Sequence, residues 1–180
     1  MSVISPRTIN DPRIVLHWYD FLCPFCYIGQ NRNSVLAQHG LEVVELPFQA
    51  HPEIPAGGIV ADVRNCPMYT QLEREAKEAG LPPHWTSRLP NTREALATAE
   101  WTRRYQPREF PKLHSKLFQA HFALAEDIGD REVIEKHASA SGIDLLALRA
   151  ALADGSALGF VNDRRNLVTH MAFKEHRLGL

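Results

Sequence analysis

The chain has 180 residues, with 20 Lys and Arg against 21 Asp and Glu, a formal net charge of −1, and a hydrophobic fraction of 44%. That length suits one domain with a real core, three cysteines are too few for a disulfide-stapled miniature, and the balanced charge gives no broad attraction for nucleic acid. Met1 to Arg7 lack the basic and then apolar segments of a secretory signal, and no stretch approaches the roughly 20 apolar residues that cross a bilayer. The expected location is therefore cytoplasmic, with no membrane partner, and in a reducing cytosol a dithiol is more often catalytic than structural.

The first apolar run, Ile14 to Tyr19, is rich in β-branched and aromatic side chains and predicts a strand. After Cys23 the pattern changes to a helical period, with Ile28, Val35 and Leu36 near one stripe and an end near Gly40. Leu22-Cys23-Pro24-Phe25-Cys26-Tyr27 thus places two cysteines where a strand hands over to a helix. A sulfur there faces unpaired backbone N–H groups and the positive end of the helix dipole, which favour the thiolate. Pro24 supports this placement, because proline is tolerated in a first helical turn. Phe25 adds apolar surface but no charge. Cys26 returns to the same side of the helix, where it can close a small disulfide ring. Cysteines in Cys-x-x-Cys motifs have pKa values of roughly 3.5 to 7.5, against about 8.5 for a free thiol.

Two other readings compete with a redox dithiol. A zinc knuckle needs two further ligands, for which Cys66, His17 and His51 are the nearest suitable types, and no second Cys-x-x-Cys exists. A permanent bridge or inert buried pair is the other, although so short a loop gains little from cross-linking.

Glu42 to Phe48 predicts a second strand, and the intervening helix is long enough for a right-handed crossover that makes the two strands parallel. The thiols then lie beyond the carboxyl end of the first strand, where open α/β sheets bind ligands. Residues 49 to 66 hold Pro52, Pro55, Gly57 and Gly58 and read as a loop bordering the dithiol. Helices are predicted over Tyr69–Ala79, Arg93–Tyr105, Pro111–Glu126, Arg131–Ser141, Asp144–Leu152 and Asn162–His176. The stripe Phe110, Leu113, Leu117, Phe118, His121, Phe122 reads mainly as core. His114 and His121 stand about 10.5 Å apart along a helix and cannot share one ion, so no metal site is assigned. Cys66 reads as a free thiol, with a mixed disulfide to Cys23 as the alternative, and the Arg103-Arg104 and Arg164-Arg165 pairs read as solvated faces. Phosphate-loop, dinucleotide, zincin and serine-hydrolase motifs are absent from the sequence.

Asp20-Phe21-Leu22-Cys23-Pro24-Phe25-Cys26-Tyr27-Ile28-Gly29 resembles the DsbA-like thioredoxin-fold oxidoreductases, in the branch similar to FrnE and to 2-hydroxychromene-2-carboxylate isomerases. The likeness continues at Leu46 to Glu53, at Pro90-Asn91-Thr92-Arg93 and at Phe118 to Phe122. It implies an α/β thioredoxin-like fold, a single domain over 1–180 with a βαβ portion over 13–50 and a large helical insertion over 66–160. It further implies that the strand pair with the cis proline and the last helix would follow Leu180. The 180 residues alone are accordingly expected to show low activity and to dimerise or aggregate.

The resemblance implies Cys23 as attacking and Cys26 as resolving thiol, acting on protein or small thiol and disulfide substrates, with Pro24 and Phe25 shaping the motif. His51, Pro52 and Asn91 would border the cleft. In isomerase members a serine generally replaces the first cysteine and glutathione is the cofactor; the intact pair here favours disulfide chemistry without a cofactor, leaving glutathione as a possible reactant. Two rivals remain: a glutathione-dependent isomerase or transferase acting on a small aromatic substrate, and a non-catalytic interaction protein.

Overall fold

The structure is a computed structural model that describes residues 11–61, 67–81 and 83–163. Strand β1 (Ile14–Tyr19) pairs in parallel with β2 (Glu42–Pro47), with His17 opposite Glu45 and Tyr19 opposite Pro47. Helix α1 (Pro24–Gln38) forms the crossover between them. Past its end, Gly40 takes a φ of 81°, a left-handed conformation that glycine adopts without a Cβ clash. The helix is tied to both strands by Asn33, whose Nδ2 lies 2.8 Å from His17 Nδ1 and donates to Glu45 Oε1 at 2.6 Å. His17 and Glu45 themselves meet at 2.5 Å across the strand pair.

The helical layer begins with α2 (Pro67–Glu78) and continues with α3 (Arg93–Tyr105), α4 (Phe110–Phe122), α5 (Arg131–Ser141), α6 (Leu145–Ala153) and α7 (Ser156–Asp163). Asp130 caps α5 by accepting from Glu132 N at 2.9 Å, and Asp144 caps α6 by accepting from Leu146 N and Ala147 N. The stripe on α4 is core as predicted: Leu113, Leu117 and Phe118 are fully buried. Phe118 touches Phe21, Tyr27 and Tyr19 at centroid distances of 4.8, 6.3 and 6.0 Å, which joins α4 to both sides of the dithiol motif. His114 is buried beside Tyr19, 4.5 Å between ring centroids, and burial pulls its pKa down to about 4. Among the described residues, no single helix is long and apolar enough to cross a membrane.

Several sequence-based boundaries are corrected. The stretch expected to be loop over 49–66 contains strand β3 (Ile59–Val60), which pairs antiparallel with β4 (Arg88–Leu89). Two-residue strands are too short to show a period of two in sequence. The helix expected to run to Glu126 ends at Phe122; Ala125 has a φ of 53° and Leu124 is exposed, so the chain turns there. Helix is already present from Ser156, before the expected start at Asn162, and the remainder of that predicted helix lies outside the described residues, as does Cys66.

Candidate active site

Cys23 is the N-cap of α1, with extended backbone angles (φ −83°, ψ 110°), and Pro24 opens the first turn. The chain reaches this cap through a turn in which Cys23 N donates to Asp20 O at 2.9 Å. No capping hydrogen bond of standard geometry reaches the Cys23 side chain. Its sulfur is half-buried, and its pKa is lowered to about 6, first by a hydrogen bond from the Cys26 thiol and then, against a burial penalty, by the backbone N–H groups of Phe25 and Cys26. The favourable contributions thus come from the other thiol and the helix start.

Cys26 behaves oppositely. It is 8% exposed, its sulfur lies 3.8 Å from Trp18 O, and its pKa is pushed well up by donating its one S–H to Cys23, by burial and by the neighbouring thiolate charge. Both cysteines are unbridged in this structure. The two thiols therefore share one easily removed proton, with the anion on the accessible sulfur.

Beneath the pair lies Asp20, which is 3% exposed. Its Oδ1 accepts from Leu22 N at 3.2 Å and its Oδ2 from Ala50 N at 2.8 Å, so it ties the motif loop to the segment after β2. Burial raises its pKa, while these hydrogen bonds and one with the Thr92 side chain oppose the rise. Its charge also raises the Cys23 pKa. Asp20→Asn is expected to shift Cys23 alkylation to still lower pH. A carboxyl with a raised folded-state pKa contributes stability at low pH that is lost as pH rises through that value, so the variant should also lose this part of the pH slope. Alkylation rates and urea midpoints across pH 4 to 7 check both; an upward move of the alkylation midpoint would contradict the first.

Cys23 opens into a cleft of about 340 Å³. Leu22, Pro24, Phe25, Met68, Tyr69 and Leu89 give it apolar walls, and Asp20 and His51 add titratable groups. No lysine or arginine is among its described lining residues. His51 Nδ1 lies 2.9 Å from Glu53 Oε1. No cluster of three or more His, Cys, Asp or Glu residues suited to a metal ion occurs among the described residues.

Residues 14–172 match the DSBA-like thioredoxin domain family. The chain belongs to that family. Among solved structures, it is similar to a probable DsbA oxidoreductase from Streptomyces coelicolor at 21% identity and a TM-score of 0.72, covering 88% of this chain and 75% of that one. A 2-hydroxychromene-2-carboxylate isomerase gives 21% identity and a TM-score of 0.67, covering 86% and 78%. The cytosolic disulfide reductase DsbM from Pseudomonas aeruginosa, solved with GSH, gives 15% identity and a TM-score of 0.65, covering 88% and 81%.

Within this DSBA-like domain, the structure brings Cys23, Pro24, Phe25 and His51 to one cleft, but Pro52 and Asn91 are not among its lining residues. Asn91 instead borders a separate hollow with Arg93 and Glu94, donates to Ile54 O at 2.5 Å, and accepts from Arg93 N at 2.9 Å. Its amide holds loops together and leaves little capacity for a ligand. Met68, Tyr69 and Leu89 were not anticipated at the site, because they arrive from elements far along the chain. Asp20 stands three residues before Cys23 inside the quoted motif, and an acid among apolar residues at a strand end was the available signal.

Proposed function

We propose that this DSBA-like domain is a thiol-disulfide oxidoreductase in which Cys23 attacks and Cys26 resolves. The observation that carries this reading is the split between the two thiols: an accessible anion at about 6 beside a buried thiol held protonated. In the reducing direction, Cys23 Sγ⁻ attacks one substrate sulfur, the substrate S–S bond breaks, and the second substrate sulfur leaves as a thiolate. Forming the Cys23–substrate disulfide removes the charge and the acceptor that kept Cys26 protonated. Cys26 then loses its proton to the released thiolate and attacks Cys23 Sγ, and the bound substrate half departs as a thiolate. Two electrons pass from the dithiol to the substrate disulfide, and the protein is left with a Cys23–Cys26 bond. Oxidation of a substrate dithiol runs through the same steps in reverse.

Reduction of a fluorogenic peptide disulfide, with a small dithiol to reset the pair, tests this reading. Cys23→Ser is expected to reduce turnover to the uncatalysed rate. Wild-type turnover no faster than that of Cys23→Ser would overturn it.

The apolar cleft also favours a second reading, glutathione-dependent isomerisation of a small aromatic compound. Glutathione is anionic, and the described lining offers it no lysine or arginine. Isomerisation that needs glutathione and survives Cys26→Ala would establish the second reading over the first.

A further inference from the structure

The strand pair carries a second titratable cluster, on the face that α1 covers. His17 of β1 and Glu45 of β2 meet at 2.5 Å between Nδ1 and Oε2. Asn33 reaches down from α1, with its Nδ2 2.8 Å from His17 Nδ1 and 2.6 Å from Glu45 Oε1. Asn33 stands about two helical turns after Cys26, so the two share one side of α1. Between them Gly29 is buried, and among the described residues nothing beyond the helix backbone comes within 4 Å of where a Cβ would stand. No side chain at that position therefore separates the dithiol end of this helix face from the cluster. In β1, His17 directly precedes Trp18, whose carbonyl oxygen lies 3.8 Å from Cys26 Sγ.

The cluster accepts His17 in either protonation state. With a proton on Nδ1, the ring donates to Glu45; with Nδ1 bare, the ring accepts from one N–H of Asn33 while the other N–H stays on Glu45. The His17 side chain is 22% exposed, so its proton can exchange with solvent. The pKa of His17 is raised, first by the Glu45 hydrogen bond and, against a burial penalty, by the charges of Glu45 and Cys23. Cys23 is ionised from about pH 6 upward, so its anion is present where His17 titrates. From α4, His114 acts on His17 only when charged, and burial keeps it neutral above about pH 4. On α3 the charge of Glu100 is paired with Arg103 and Arg104.

We propose that His17, held by Glu45 and Asn33 beneath α1, is a redox-linked proton site of the dithiol, more fully protonated while Cys23 is a thiolate and less so once Cys23 is in a disulfide. This rests on the oxidoreductase reading and adds a positioning residue to it. When the reduced pair closes, the Cys23 thiolate and the Cys26 thiol form the S–S bond and two electrons pass to the substrate disulfide. The Cys26 proton leaves, and His17, no longer facing an anion, gives a further fraction of a proton to solvent. The coupling is reciprocal: the His17 charge favours the Cys23 thiolate by the same factor as the thiolate favours the His17 proton. His17 touches neither substrate nor sulfur and acts through its charge.

The test follows the imidazole resonances of the wild-type protein by NMR from pH 5 to 9 in three forms: reduced, oxidised to the Cys23–Cys26 disulfide, and reduced with Cys23 capped by iodoacetamide, which removes the anion without oxidation. His17, identified by sequential assignment, should titrate about 0.5 pH unit or more higher in the reduced form than in the other two, roughly three-fold in proton affinity, as for unit charges coupled in a half-buried setting. In His17→Gln, whose amide can still donate to Glu45, the Cys23 alkylation midpoint should rise by a similar factor. A cluster that only ties the helix to the strands would titrate alike in all three forms, and that result would overturn the proposal without any variant having to fold. A shift at His51, on the cleft, with none at His17 would overturn it too. If His17 moves with the state of Cys23 but no peptide disulfide turns over, the proton site stands and the oxidoreductase reading falls.

Discussion

Replacing Cys26 with alanine is expected to stop exchange at the mixed disulfide and to make Cys23 a weaker acid. The two effects have one origin. The largest cause of the low Cys23 pKa is the hydrogen bond from the Cys26 thiol, and the N–H groups of Phe25 and Cys26 come after it. With the thiol gone, the helix start alone opposes the burial penalty, so the pKa rises from about 6 toward the ordinary cysteine range. At pH 6.5 the thiolate fraction, and with it the alkylation rate, should fall by roughly ten-fold or more. Attack remains possible at higher pH, but no second sulfur can release the adduct, so peptide–Cys23 species accumulate and are visible by intact mass. Cys23→Ala should form no such adduct at Cys26, which is 8% exposed. Equal adduct formation by the two variants would reverse or erase the assigned order.

Phe118→Ala is expected to cost about 3–5 kcal/mol, as emptying a well-packed aromatic site does. Total stability for a domain of this size is about 5–15 kcal/mol, so the variant should unfold at markedly lower urea concentration. The side chain is fully buried and touches Phe21 just before the dithiol and Tyr27 just after it. Relaxation around the cavity therefore reaches the cap of α1, and the Cys23 pKa should move up as the helix start loosens. A destabilisation under about 1 kcal/mol would show that the aromatic cluster is not the support of the site.

These effects trace back to features that differ in how clearly the sequence displays them. Strand β1 was readable to the residue, because Ile14 to Tyr19 is an unbroken β-branched and aromatic run that ends at an acid and a proline-containing turn. Helix α1 was readable from Pro24 and from the change of period, although its weak amphipathicity made the far end harder to place than the start. The α4 stripe was legible as core because its apolar residues recur at helical spacing, and burial of His121 followed from its place among them.

The cleft was much less legible. Its walls come from Leu22, from Met68 and Tyr69, and from Leu89, and no local pattern announces that such distant residues converge. Strands β3 and β4 pair over two residues each, with Val60 exposed, so neither alternation nor hydrophobicity marked them. For Asn91 the expectation came from the resemblance, which implied a place bordering the cleft, whereas its amide donates to Ile54 O and accepts from Arg93 N.

The pH dependence of iodoacetamide reaction at each cysteine, read by peptide mass on the reduced protein, tests the central claim most directly. A thiol with a depressed folded-state pKa favours the folded, reduced state at high pH, and that advantage is lost as pH falls through the folded value. Cys23 should react with a midpoint near pH 6, while Cys26 stays unmodified through neutral pH. Both cysteines titrating together near the ordinary thiol value would contradict the account.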